Sequence, residues 1–198
     1  MMPGQTDDAT EILQKSQKTL ESLQDFSSNI LYVITNPNMP KAIPKTGKVK
    51  YKQGKYSLVL SDQEIYCDLE KIWVYLKDNE EVEELSYEPE EGGPLGSVLS
   101  VYQANSKAIL KGSEVIKGRK CLKIFLTNQD PSLDYNEAQV WIDEETLLLA
   151  KATLLDRKKT TTIFEFTNIK TNVGFPDSDF QLTKDEVPAE VIWFKDSD

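Results

Sequence analysis

The spacing of apolar positions changes near residue 25. From Asp8 to Gln24, Ile12, Leu13, Ser16, Leu20 and Leu23 recur at helical intervals with charge and amide on the opposite side. This predicts one amphipathic helix, capped by Asp8 or Thr10. Beyond it, short β-rich runs are broken at close intervals by Gly, Pro, Asn and Asp, the pattern of an antiparallel meander. Strands are expected near Phe26–Thr35, Gly47–Lys52, Lys55–Ser61, Glu64–Cys67, Lys71–Lys77 and Glu81–Tyr87, and again near Ser106–Lys111, Glu114–Ile116, Lys120–Asn128, Ala138–Asp143, Leu147–Asp156 and Thr160–Ile169. The segments Gln53–Lys55 and Lys117–Lys120 place a glycine where a tight turn wants positive φ, and Asp143–Leu147 suits a further hairpin. Between the two groups of strands, Tyr87–Ser106 begins as an acidic Gly/Pro loop. It then sets Leu95, Val98, Leu99 and Tyr102 at i, i+3, i+4 and i+7, one side of a short helix.

Most strands have one wholly apolar face. Ile30, Tyr32 and Ile34 alternate with Asn29, Leu31 and Val33, and Tyr56, Leu58 and Leu60 alternate with Lys55, Ser57 and Val59. The run Ile72-Trp73-Val74-Tyr75-Leu76 has no polar side, so both its faces must meet apolar material. Two helices over one long twisted sheet predict a mainly β fold with α, in which the sheet curls and the helices cover its hollow apolar face. Such a face either encloses a greasy cavity or is filled by its own side chains.

Composition narrows the chemistry. The 198 residues, 39% of them hydrophobic, suffice for one sizeable core. A single domain over residues 9–194 is expected between short flexible ends at 1–8 and 195–198. A formal charge of −10 opposes a phosphate backbone, which sets nucleic acid aside. The absence of histidine removes the usual general acid and base and the commonest nitrogen metal ligand. With no convergent polar set either, no catalytic residue, cofactor or metal site is expected. Cys67 and Cys121 are too few for a metal site or a disulfide framework; they form one bridge, lie as buried thiols, or include a reactive one. Glu80, Glu81, Glu83 and Glu84 are expected as a solvated edge, and Asp134, Glu137 and Asp143 lack calcium-loop spacing. No apolar run is long enough to span a bilayer, and "MMPGQTDD" has neither part of a secretory signal. A cytosolic chain and a mature segment behind an added methionine are both compatible with that start.

Taken in order, "ATEILQKSQKTLESLQDFSSNI", "GKVKYKQGKYSLVL", "DQEIYCDLEKIWVYLKDNEEVE", "GSVLSVYQ", "GRKCLKIFLT", "AQVWIDEETLLLAKATLLD" and "FPDSDFQLTKDEVPAEVI" resemble the LolA family of periplasmic outer-membrane lipoprotein carriers, in a divergent Bacteroidetes-type form. The likeness runs from Ala9 to Ile192 and rests on order and spacing. It implies an unclosed, strongly curved antiparallel half-barrel with helices as a lid. It also implies a monomeric periplasmic chaperone whose signal peptide is missing from the chain, which takes acylated lipoproteins from an inner-membrane release complex to an outer-membrane acceptor. Each methylene hidden from water is worth about 0.8 kcal/mol, so an acylated anchor needs such a shield. On this basis the expected acyl contacts are Ile30, Tyr32, Ile34, Val49, Tyr51, Tyr56, Leu58, Leu60, Ile72, Val74 and Leu76, with Leu13, Leu20, Leu95, Val98, Leu99 and Tyr102 in the lid. The faces taken by Trp73 and Trp141 depend on register. Where the family carries a "KRP" arginine tied to lid closure, this chain has "KQGK", with Lys52 or Gln53 near that position. The internal cysteines differ from the lipidated N-terminal cysteine of a LolB-like acceptor. A lipid-sensing or protein-binding domain of the same fold, contacting partners through Val82–Gly93, is the alternative.

Overall fold

The structure, a computed structural model, describes residues 4–38, 41, 42, 44–88, 93–102, 106–128, 130, 131, 133 and 135–195. The first helix, α1, spans Gly4–Ser22. It begins a turn before the expected caps, so Asp8 and Thr10 lie within it. The strands are β1 (Phe26–Thr35), β2 (Lys45–Lys52), β3 (Lys55–Leu60), β4 (Gln63–Cys67), β5 (Lys71–Leu76), β6 (Glu81–Ser86), β7 (Lys107–Ile116), β8 (Arg119–Thr127), β9 (Glu137–Asp143), β10 (Leu149–Leu155), β11 (Thr161–Thr171) and β12 (Ile192–Lys195). The short helix α2 covers Gly93–Leu99 and runs into a 3-10 turn at Ser100–Tyr102.

One sheet order, β12-β6-β5-β4-β3-β2-β1-β11-β10-β9-β8-β7, holds all twelve strands and has two ends, so the sheet is unclosed. Pairing is antiparallel from β2 through β6 and from β7 through β11. Two features depart from the expected meander. The runs Ser106–Lys111 and Glu114–Ile116 are a single strand, β7, interrupted by a bulge between Leu110 and Ser113 where Gly112 takes φ +100°. The added strand β12 pairs parallel to β6, which gives that strand a second neighbour. The expected solvated edge is therefore corrected in part: Glu80 and Glu83 are exposed, but β6 is not an edge strand, and Glu84 pairs with Lys71 at 2.5 Å and lies 3.7 Å from Lys195 of β12. Val82 is likewise a buried strand residue, not the start of a loop, and residues 89–92 of the expected acidic loop lie outside the described residues. Asp134 lies outside them as well, and among the described residues no acidic cluster could hold a metal ion.

The turns follow their local chemistry. Gln53 and Gly54 take φ 49° and 94°, and Lys117 and Gly118 take 48° and 81°, the paired positive values of two-residue type I′ hairpins. At the third turn the Asp143 carboxylate accepts from the N–H groups of Glu145 and Thr146.

The chain forms two compact units that share β1 and β11. The first holds α1, α2, β7 to β10, β1 from Leu31 on and β11 up to Thr167. Here Ala9, Leu13 and Ser16 form the buried stripe of α1, and the Ser16 hydroxyl lies 2.8 Å from that of Tyr102. Burial pushes the Tyr102 phenol up to about 12. The register places Leu110, Ile124, Val140, Ala152 and Phe164 in one row across β7 to β11, and Tyr32 packs on Phe164 with ring centres 5.2 Å apart.

The second unit holds β2 to β6, the start of β1, the end of β11 and the C-terminal segment with β12. After β11 the chain crosses one face of its strands. Asp25, buried just before β1, accepts from the backbone N–H groups of Val173, Gly174 and Phe175 at 2.6, 2.8 and 2.9 Å. Burial alone would raise its pKa, but the three donors and nearby Lys52 bring it below the ordinary carboxylate value. Further on, Lys50 pairs with Asp179 and both Lys52 and Lys55 pair with Asp177. Leu182, Val187 and Val191 then pack on Trp73, Tyr75 and Val82.

These carboxylates set the acid response. The hydrogen bond and charge of Lys45 lower Asp62, those of Lys71 lower Glu84, and the two lysines bring Asp177 to about 2. A folded pKa below the unfolded one stabilises the protein above the unfolded value, and the gain is lost as pH falls through the folded value. The chain has no histidine to titrate in the neutral range, and burial pushes both thiols up. The midpoint of urea unfolding is therefore expected to stay level from about pH 5.5 to 8 and to fall below about pH 4.5, continuing toward pH 2. A midpoint that moved between about pH 6 and 7 would contradict this.

Candidate apolar binding face

In the second unit the pairing settles which side chains share a face. Tyr51, Tyr56, Cys67, Ile72 and Leu85 are consecutive register partners across β2 to β6, and Val49, Leu58, Ile65 and Val74 form the next row. Each row crosses four or five strands without a charged side chain, and Phe26 of β1 extends the first by stacking on Tyr51 at 5.2 Å. Val49, Leu58 and Cys67 are fully buried, and Ile65 and Ile72 nearly so. The second row ends at Glu83, the partner of Val74, so the apolar face is bounded on the β6 side.

The opposite face has a different composition. Lys50 and Ser57 are partners there, as are Ser57 and Tyr66, and then Tyr66 and Trp73. It is the face crossed by the C-terminal segment. The uninterrupted run in β5 is thereby explained: Ile72 and Val74 belong to the apolar rows, while Trp73 and Tyr75 pack on Leu182, Val187 and Val191. Lys52 also lies on the crossed face, where its Nζ donates to the Phe175 carbonyl at 2.8 Å, and Gln53 is a turn residue. Lys52, one of the two residues expected near the position of that arginine, thus fastens the C-terminal segment.

Of the expected acyl contacts, Ile30, Val49, Tyr56, Leu58, Leu60 and Ile72 are buried, and Tyr32, Ile34, Tyr51, Val74 and Leu76 are half-buried. Those of β2 to β5 share the face just described, and Ile30, Tyr32 and Ile34 alternate along one side of β1. Among the expected lid residues Leu13, Leu95 and Val98 are buried, and Leu20, Leu99 and Tyr102 half-buried, all within the first unit. Phe26, Ile65, Cys67 and Leu85 join the face without belonging to the expected set, although each keeps the same alternation. Trp141 turns away from the Val140 row. Lys123 and Lys151 lie over its ring at 5.0 and 4.9 Å, and its Nε1 donates to Glu114 at 2.9 Å. Both cysteines are free and buried.

The family model for the outer membrane lipoprotein carrier protein LolA matches residues 49–183, which include both apolar rows and the start of the C-terminal segment. The chain belongs to the LolA family. No curated protein matches this LolA-family chain by sequence. Its fold is found in an uncharacterized conserved protein of Thermus thermophilus, with 10% identity, TM-score 0.62, and coverage of 96% of this chain and 99% of that one. The Mycobacterium tuberculosis lipoprotein LppX is similar over 86% of this chain and 98% of its own, at 16% identity and TM-score 0.52. The structure of the Pseudomonas aeruginosa MucA/MucB complex contains a chain with 16% identity and TM-score 0.54. That match covers 91% of the LolA-family chain and 62% of the other. These likenesses establish the fold. No described helix is long and apolar enough to cross a membrane.

Proposed function

We propose that the protein is a periplasmic carrier that shields the acyl chains of lipoproteins against its apolar strand face while they pass from the inner to the outer membrane. The observation that carries this reading is the pair of unbroken apolar rows, one across β2 to β6 and one across β2 to β5. Membership of the LolA family supports it. Shielding an acyl chain demands apolar area and no reacting group. At about 25 cal/mol for each Å² removed from water, a single long chain yields enough to hold an anchor that could not otherwise stay in solution. An inner-membrane release complex and an outer-membrane acceptor would be its partners. Because most of the face is buried in this structure, loading requires acyl methylenes to replace the contacts that now bury it.

The direct test is organic extraction of protein purified from the periplasm, followed by mass spectrometry. Acyl species at about one equivalent are expected, and the stripped protein should take up a fluorescent fatty acyl probe. Protein that yields no lipid and takes up no probe would exclude the carrier. The fold shared with a chain of the MucA/MucB complex favours a second reading, a lipid-sensing or protein-binding domain. In that case probe uptake would be absent or weak while a partner protein copurified.

A further inference from the structure

The apolar rows carry two tyrosine hydroxyls and a thiol, and among them the hydroxyl of Tyr56 is the buried oxygen left without a partner among the described residues. Its residue is 4% exposed, and its Oη has no hydrogen-bond partner among the described residues. Burial pushes this phenol far up, so the group is a neutral O–H donor at any physiological pH. Phenylalanine would fill the same space without leaving a donor unpaired, so packing alone does not account for tyrosine here. The neighbours supply no substitute. Register partners Tyr51 and Cys67 flank it, and burial also keeps the Cys67 thiol protonated. The lysines nearest in sequence, Lys50, Lys52 and Lys55, are engaged with Asp177 and Asp179 on the crossed face. The site is thus uncharged, with the Tyr56 hydroxyl as its buried unpaired donor, at the turn end of an aliphatic stretch that continues through Leu58 to Leu60.

Resting on the carrier reading, we infer that Tyr56 is the polar anchor of the bound acyl group: its hydroxyl donates a hydrogen bond to the carbonyl oxygen of a neutral acyl ester, and the hydrocarbon tail lies along the Leu58 side of the face. A free carboxylate fits less well, because the described rows offer no cation to offset its desolvation.

Displacement of a fluorescent acyl probe from the stripped, full-length protein separates these elements, with methyl palmitate, palmitate and hexadecane as competitors. Wild type is expected to bind methyl palmitate at least as tightly as palmitate. Tyr56→Phe should weaken methyl palmitate about tenfold, the effect of one lost hydrogen bond, and leave hexadecane unchanged. The variant should melt no lower than wild type, since it loses an unpaired polar atom and no contact. A second measurement needs no variant: the infrared stretch of a carbonyl-labelled ester should shift to lower frequency on binding. A carbonyl band at its hydrocarbon-solvent position, or equal methyl palmitate affinity in Tyr56→Phe, overturns the role of Tyr56 while leaving the carrier standing. Failure of wild type to bind any of the three chains removes the carrier reading itself, and the anchor with it.

Discussion

Asp25→Ala is expected to lower the unfolding free energy by about 3 kcal/mol, which for a chain of this size lowers the melting temperature by roughly 10 °C. The magnitude comes from what remains behind. The Asp25 carboxylate accepts three backbone N–H groups, from Val173, Gly174 and Phe175. Alanine would leave all three without that acceptor beside a position where Asp25 itself is buried. The Asp25 carbonyl also accepts from Asn172, whose side chain in turn accepts from the Gln24 N–H. One residue therefore ties the start of β1 to the chain leaving β11. Asp25→Asn keeps one acceptor oxygen and should cost about half as much. Chemical denaturation at about pH 7 checks both, and a loss under about 1 kcal/mol for Asp25→Ala would show that the three N–H groups find water instead.

Trp73→Ala is expected to cost about 3–5 kcal/mol, the range for removing a large buried aromatic side chain. Trp73 packs in one cluster with Leu182, Val187 and Val191, so its loss should release the C-terminal segment. Cleavage by trypsin after Lys184 should accelerate in parallel. At a temperature where the variant remains folded, its affinity for a fatty acyl probe should fall less than about twofold, because Trp73 and the apolar rows lie on opposite faces of β5. Val74→Asn, one residue away on the other face, should reverse the pattern and weaken the probe about tenfold or more. Equal effects of the two substitutions on probe binding would contradict the division of faces.

Much of this is legible in the sequence because period-two alternation survives wherever one face is buried. The strand β1 agrees with its expected limits at both ends, and the glycine turns at Gln53-Gly54 and Lys117-Gly118 follow from the left-handed conformation that two-residue hairpins need. The run at Ile72 to Leu76 announces two apolar faces, but only pairing can say what the second one meets. Its partner lies more than a hundred residues away and has no periodicity of its own. Leu182, Val187 and Val191 are spaced as a segment that touches the sheet at intervals, with a 3-10 turn at Lys184–Glu186 between the first two. Asp25 escapes sequence reading for a similar reason. An aspartate between a helix and a strand reads as an ordinary linker residue, and the three donors that give it a role are contributed by a distant, glycine-containing stretch. The strand β12 is four residues long, and three of its side chains, Ile192, Phe194 and Lys195, are exposed, so it carries no alternation to detect. The acyl contacts are legible as a face, whereas the unpaired state of the Tyr56 hydroxyl requires coordinates.

The parallel strand β12 also has a consequence for how the chain matures. A growing chain completes β6 early, but the strand that covers its outer side is made last, after β1 to β11. Until then β6 presents an open row of amide and carbonyl groups, the template onto which another unfinished chain could add. Its charge pattern answers that hazard. Glu81, Glu83 and Glu84 occupy the open strand, so two newborn copies approaching edge to edge would bring like charges together, while Lys195 on the chain's own β12 meets Glu84 with opposite charge. The acidic side chains of β6 thus oppose edge-to-edge pairing of two copies while leaving the strand open to its own β12.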